Sequence, residues 1–299
     1  MTTVGFIGLG IMGGPMSAHL VAAGHDVRGY DVHADAVARL VDAGGTAARD
    51  VAGAVAGADV VITMLPNHPQ VEEVVLGPGG VLDSARPGTL LIDMSTIRPE
   101  TSIAVAEAAT AKEVRVLDAP VSGGEAGAKQ ATLSVMVGGE ERDFADARPL
   151  LDALGKTIVH VGPHGAGQVV KAANQLLVGG IYGLVGEAIV LMEASGVDAK
   201  TGLDVLAGGL AANRILDLKR ESMVARQFQP GFRIDLHHKD MGIALAAARQ
   251  ADVALPLTGL VAQLVAAGRA MGYGSLDHSA LLKVTEQLSG RSQGSSREG

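Results

Sequence analysis

Residues 167–192 read GQVVKAANQLLVGGIYGLVGEAIVLM, and the only charges in them are Lys171 and Glu187. Lysine is almost never fully buried unless it is paired or put to use. Either Lys171 snorkels to solvent, or its ammonium faces a group that wants a proton donor. At 100° per residue, Gln168, Asn174 and Gln175 fall within about 60° of Lys171, whereas Glu187 falls about 160° away. Lys171 therefore heads a short polar stripe in the first turns of a helix, and Glu187 is left as a solvent- or subunit-facing charge. Snorkelling suits an isolated lysine; a lysine flanked by amides fits a polar pocket better. Such an ammonium can polarise a carbonyl and protonate the alkoxide that forms as hydride reaches the carbon. In the oxidative direction it must be neutral, and a reference pKa of about 10.4 is then too high. Burial in an apolar run and a neighbouring positive charge both lower it.

The other strong signal is GFIGLGIMGG, which supplies Gly8-x-Gly10-x-x-Gly13, with Ile11 and Met12 between the last two glycines. The spacing alone is weak in a chain with 41 glycines. Here it directly follows a strand-like run and directly precedes a helix-like one. Gly8 allows the tight turn, Gly10 lets backbone approach a pyrophosphate, and Gly13 lets helix and strand pack closely. The free N–H groups of the helix start then face the phosphates. Asp31 ends the next strand-like run, where a carboxylate accepts from an adenosine ribose diol and repels a 2′-phosphate. Val32 follows it in place of an arginine, so NAD is expected over NADP.

Weaker motifs each have a plain structural reading. Leu65-Pro66-Asn67 ends a strand and makes a turn readily, yet open α/β sheets bind ligands at their strand ends. Ser95 and Thr96 in DMST could bond cofactor or substrate, or simply cap the helix before Pro99 and Glu100. Ser122, Gly123 and Gly124 in DAPVSGG read as a loop whose bare N–H groups could form an anion nest. Lys239–Asp240 reads as a solvent-facing pair at a helix start. His160 and His164 are separated by Gly162 and Pro163, and adjacent His237 and His238 would point to opposite faces of a strand. Surface or capping roles are expected for these histidines, and no metal site is expected.

Seven short β-rich runs position these residues: VGFIG, HDVRGYD, DVVITML, TLLIDMS, VRVLDAP, LSVMVGG and TIVHVG. Early ones alternate with Ala-rich helical segments, which predicts βαβ units and a mostly parallel sheet. Beyond Gly165 nearly everything has helical period, beginning with a segment from roughly Ala166 to Ser195. Thirty helical residues span about 45 Å, so this one is read as a helix joining two domains. The expected organisation is an α/β Rossmann-type domain over 1–163, an all-α domain over 164–290 and a disordered tail over 291–299. Aromatics make up 2% and the net charge is −8, which argues against a nucleic-acid partner. Cysteine is absent, excluding disulfides and thiolate sites. No leader pattern opens the sequence, and apolar helical runs break before membrane length. A soluble cytoplasmic chain is expected.

Read with the glycine loop, DMSTIRP (93–99), DAPVSGG (118–124), GAGQVVKAANQ (165–175) and HKDMGIA (238–244) resemble the β-hydroxyacid dehydrogenase family, to which 3-hydroxyisobutyrate dehydrogenases belong. The motifs run in order from residue 4 to 288. The resemblance implies a Rossmann-type domain followed by a helical domain. It implies Lys171 as general acid and base, with Asn174 orienting it or the substrate. It implies Ser122, Gly123 and Gly124 as the cradle for a substrate carboxylate. It also implies Leu65, Pro66 and Thr96 along the cofactor, with Lys239 reaching the nicotinamide end. GFRIDLHHKD further resembles the branch that reduces tartronate semialdehyde to glycerate. Oxidation of 3-hydroxyisobutyrate is the nearest alternative, followed by succinic semialdehyde or glyoxylate reduction. Imine reductases usually lack the lysine, and a non-catalytic cofactor-binding module would not need Lys171, Asn174 and Lys239 together. Family habit and apolar helical surfaces suggest a homodimer or homotetramer.

Overall fold

The computed structural model describes residues 1–291; the expected disordered tail falls almost wholly on 292–299, outside the described residues. Its first residue, Arg291, is described, and its N–H donates to the Glu286 carbonyl at 2.8 Å. The chain forms two compact units, Met1–Lys171 and the residues from Ala172 onward.

The first unit contains nine strands: β1 Thr3–Ile7, β2 Asp26–Tyr30, β3 Thr46–Ala47, β4 Val60–Thr63, β5 Leu90–Asp93, β6 Arg115–Asp118, β7 Val121–Ser122, β8 Leu133–Gly139 and β9 Gly155–Gly162. Between them run helices α1 Gly13–Ala22, α2 Ala34–Asp42, α3 Val51–Val55, α4 His68–Leu76, α5 Val81–Ser84, α6 Pro99–Thr110, α7 Gly124–Lys129 and α8 Glu141–Asp152. The sheet order is β3-β2-β1-β4-β5-β6-β8-β7, with β9 beside β8. From β3 to β6 every pairing is parallel. Strand β8 runs antiparallel to β6 and β7 and parallel to β9. All seven strand-like runs form strands; β3 and β7 are two-residue additions.

Alternation along the central strands explains the layering. Val4, Phe6, Val60, Ile62, Leu90, Ile92 and Leu117 turn to one core with Met16 and Leu20 of α1, Leu40 of α2 and Leu150 of α8. Ile7, Val61, Leu91 and Val116 turn to the other, with Val71 and Val75 of α4 and Val105 and Ala109 of α6. Burial on both faces is why these strands read as continuous apolar runs rather than polar–apolar alternation. The order 3-2-1-4-5-6 reverses between β1 and β4, so the loops that leave those two strands flank the switch-point crevice.

Helix α9 runs Ala166–Ala194, 29 residues. Its length and mean hydropathy of 1.7 would by themselves suffice to cross a membrane, but Lys171 and Glu187 leave only fifteen uncharged residues between them. One face of the helix instead supplies Tyr182, Val185, Ile189 and Val190 to the core of the second unit. That core is completed by α10 Ala199–Ala207, α11 Arg214–Val224, α12 Ile234–Gln250, α13 Pro256–Ala270 and α14 Leu281–Leu288. Helices can approach α9 closely at Gly179, where a Cβ would lie 3.0 Å from both His237 Nε2 and Val261 Cγ1. Glu187 is exposed.

Buried polar pins fix the second unit. Asp277 is fully buried and accepts from the Gly231 N–H at 2.8 Å and the Phe232 N–H at 3.2 Å, with Lys219 Nζ 3.1 Å away. Burial raises its carboxyl, but His278, Ser279, Lys219 and Gly231 outweigh that and leave it below the usual range. It thereby secures the turn that launches α12. Arg226 binds Glu193 and Glu286, joining the end of α9 to α14.

Candidate active site

The glycine loop leaves β1 with Gly8 at φ +95°, its N–H donating to the Tyr30 carbonyl at 2.9 Å. A Cβ on Gly8 would collide with the Met64 carbonyl, and one on Gly13 with the Gly8 carbonyl. Those two glycines are needed for the fold itself. Gly10 differs: a Cβ there meets nothing within 4 Å. Its bareness keeps open space beside the start of α1, and no acceptor among the described residues takes the Ile11 or Met12 amides. Helix α1 has no side-chain cap and no acidic residue in its first turn. Open space, free amides and an unneutralised helix start suit a pyrophosphate.

Asp31 follows β2 and closes on this loop. Its Oδ2 accepts from the Leu9 N–H at 2.7 Å, and its Oδ1 accepts from the His33 N–H at 2.8 Å and lies 3.0 Å from the His33 ring Nδ1. Burial pushes the carboxyl up, but these bonds outweigh it and hold it below its ordinary value. It is thus a fixed anion at the strand end where an adenosine ribose would be read. The glycine loop and Asp31 together fit a dinucleotide.

Strands β4 and β5 bring in the next residues. Leu65 lies beside Gly8, its Cδ2 within 3.1 Å of where a Cβ would stand. Its N–H donates to Ser95 Oγ at 2.8 Å, joining the Leu65–Pro66 turn to the loop carrying Thr96. Ser95 and Thr96 do not cap the following helix: α6 begins at Pro99, with Arg98 at the cap position and no side-chain cap bond. Ser95 serves the strand ends instead, because its N–H donates to Asp93 Oδ1 at 3.2 Å. Thr63 Oγ1 donates to the same oxygen at 2.7 Å. Desolvation pushes the fully buried Asp93 carboxyl up to about 6, against these bonds.

Lys171 is 5% exposed, so it does not snorkel. The turn that bears it is anchored by two residues that the sequence patterns assign no such role. Asp118, at the end of β6, accepts from the Gly165 N–H at 2.8 Å and the Gln168 N–H at 3.1 Å. Desolvation raises the Asp118 carboxyl, against these same bonds. Gln168, 1% exposed, accepts from the Ile97 N–H at 3.1 Å and donates to the Ser95 carbonyl at 2.9 Å. Its amide therefore grips the backbone on both sides of Thr96, one turn before Lys171. The only local signal for either residue is an aspartate at a strand end and a buried amide in the polar stripe.

Ser122, Gly123 and Gly124 are not a plain loop. Ser122 ends β7, Gly123 has φ +135°, and Gly124 has φ +59° and opens α7. His19 of α1 bonds the Ala128 and Lys129 carbonyls at 3.1 and 3.0 Å, tying α7 to the helix of the glycine loop. Gly8, Gly10, Asp31, Leu65, Thr96 and Ser122–Gly124 thus share the carboxyl-end side of the first unit, as does the turn holding Lys171.

In the second unit, Asn174 is half-buried and Gln175 is 3% exposed. Lys239 and Asp240 lie within α12, not at a solvent-facing helix start. Asp240 is 1% exposed, with Lys239 Nζ 3.1 Å from its Oδ1. His237 is not a surface or capping residue. It is fully buried on α12, with Nε2 3.1 Å from the Gln175 carbonyl and Nδ1 2.9 Å from His278 Nδ1. A carbonyl only accepts, so Nε2 carries a hydrogen. Among the described residues no three His, Asp or Glu side chains form a metal-binding group.

Residues 3–162 match the family described as the NAD binding domain of 6-phosphogluconate dehydrogenase. Residues 165–285 match that described as NAD-binding of NADP-dependent 3-hydroxyisobutyrate dehydrogenase. The chain is 40% identical over 287 residues to a 2-hydroxy-3-oxopropionate reductase of Escherichia coli, covering 95% of this chain and 97% of the relative. It is 42% identical over 271 residues to a 3-hydroxyisobutyrate dehydrogenase of Pseudomonas aeruginosa, covering 88% and 91%. The solved Mycobacterium tuberculosis 3-hydroxyisobutyrate dehydrogenase with L-serine is 39% identical, with a TM-score of 0.86 over 95% of this chain and 98% of that one. Near-equal identity to differently named enzymes leaves the substrate to be argued separately, but not the family. With a Rossmann-type sheet, a glycine loop shaped for NAD(P) and a buried lysine on the long helix, the chain belongs to the NAD-dependent β-hydroxyacid dehydrogenases.

Proposed function

We propose that the chain reduces tartronate semialdehyde (2-hydroxy-3-oxopropionate) to glycerate, reversibly, with NADH preferred over NADPH. The observation that carries the reaction class is the 5% exposure of Lys171 on an apolar helix. Bound nicotinamide supplies the hydride. Lys171 donates a proton to the aldehyde oxygen as negative charge develops there, and takes it back in the oxidative direction. Asn174 orients the substrate, and the amides around Ser122, Gly123 and Gly124 receive its carboxylate. Leu65, Pro66 and Thr96 lie along the cofactor, and Lys239 serves its nicotinamide end. Asp31 supports the preference for NADH, since a fixed carboxylate repels a 2′-phosphate.

The substrate rests on the run GFRIDLHHKD and on 40% identity to the E. coli reductase. Oxidation of 3-hydroxyisobutyrate is the second reading, favoured by 42% identity to the P. aeruginosa enzyme. Initial rates with tartronate, methylmalonate and succinate semialdehydes, each with NADH and NADPH, separate these readings. The highest kcat/KM belongs to tartronate semialdehyde with NADH; a higher value for methylmalonate semialdehyde selects the second reading.

We also read the protein as a homodimer or homotetramer. Leu177, Leu184 and Leu191 recur every seventh residue of α9 and are 62%, 66% and 68% exposed. Sedimentation of wild type and Leu184→Glu tests this, with dissociation expected in the variant.

A further inference from the structure

We propose that Asp240 is a positioning residue that, through Gln175, sets which end of the Asn174 amide meets the substrate. The proposal rests on the role given to Asn174 above. Asp240 Oδ2 accepts from Gln175 Nε2 at 2.6 Å, deep in the protein, while Lys239 Nζ lies 3.1 Å from Oδ1. A carboxylate paired with an ammonium can only accept. The NH₂ end of Gln175 must therefore face Asp240, because the flipped amide would set oxygen against oxygen.

That choice propagates. With its NH₂ committed to Asp240, Gln175 turns Oε1 to Asn174, which donates from Nδ2 at 2.7 Å. The two ends of a carboxamide lie on opposite edges, so Asn174 then offers its carbonyl oxygen on the side away from Gln175. An acceptor at that place suits a hydroxyl-bearing substrate and disfavours an acceptor such as a carboxylate. Helix α12 grips Gln175 twice, by Asp240 at the side chain and by His237 at the backbone carbonyl, 3.1 Å from Nε2. One buried carboxylate thus bears on the sense of both amides.

A double-mutant cycle tests the relay. Asp240→Asn can turn either end toward Gln175, and Gln175→Met cuts the relay while leaving the Asp240–Lys239 pair in place. Each is expected to lower kcat roughly tenfold, the worth of one misdirected hydrogen bond, with the KM for NADH within about twofold of wild type. In an Asn174→Ala background neither is expected to add a further loss, because the group they orient is gone. Additive losses, or an Asp240→Asn enzyme as fast as wild type, would overturn the proposal. Hydrogen exchange of the Asn174 side-chain amide, followed by NMR, reads the device without turnover. It is expected to be slow in wild type and fast in both single variants; equal rates in all three would overturn it. If wild type reduces none of the semialdehydes, the proposed function fails while this exchange measurement still decides the relay.

Discussion

Asp118 Oδ2 accepts the Gln168 N–H at 3.1 Å, so the last residue of β6 holds the first turn of the helix that carries Lys171. Its other oxygen takes the Gly165 N–H at 2.8 Å, and both bonds are buried. The lysine is therefore aimed by a sheet residue about fifty positions earlier, not by the local sequence alone. Asp118→Ala leaves both amides unmet at a cost of about 2–4 kcal/mol. Urea denaturation checks the stability loss, and kcat is expected to fall with it as the turn loosens.

Glycines of the same loop separate fold from function. Gly10→Ala adds a methyl to open space, so its melting temperature is expected to stay near that of wild type. The same methyl stands where a pyrophosphate would approach, and the KM for NADH is expected to rise about tenfold or more. Gly13→Ala meets the Gly8 carbonyl instead and is expected to cost about 1–3 kcal/mol of stability. Thermal melts and coenzyme titrations of the two variants test the contrast.

Coenzyme choice follows from Asp31. Asp31→Asn can keep one oxygen for the Leu9 or His33 amide while removing the negative charge. The ratio of kcat/KM for NADH over NADPH is expected to fall about tenfold, chiefly by gain toward NADPH. An unchanged ratio would place coenzyme choice elsewhere.

Asp93 makes stability depend on pH. Its carboxyl is raised to about 6 by desolvation, against an ordinary value of about 3.9 when unfolded. Between these values the native state holds the extra proton, so stability falls as pH rises through that window and levels off above it. That difference corresponds to a loss of up to about 3 kcal/mol between pH 4 and pH 7. Asp93→Asn can keep the carbonyl acceptor for Thr63 and Ser95 and is expected to remove this slope. Unfolding free energies at pH 4.5 and pH 7 for both proteins check it; identical slopes would contradict the assignment.

What the sequence discloses and what it hides divide by range of contact. The seven strands, the glycine loop and the length of α9 are legible because apolar period and turn residues are local. Strands β3 and β7 span two residues each, too short to carry a period. Gln168 bonds residues 71 and 73 positions away, and no spacing rule reaches that far. The same limit misplaced His237, whose burial depends on His278, 41 residues later. Ser95 illustrates a different failure: it has a good capping residue's chemistry, but the strand-end carboxylate of Asp93 and the Leu65 amide compete for it more closely.

Lys171 is the group proposed to move the proton. Lys171→Ala, assayed with tartronate semialdehyde and NADH beside a direct titration of NADH binding, tests that claim. NADH is expected to bind within about threefold of wild type, because the coenzyme residues named here lie elsewhere, while turnover falls by about a thousandfold or more. A variant that turns over within about tenfold of wild type would contradict the role of Lys171 as general acid.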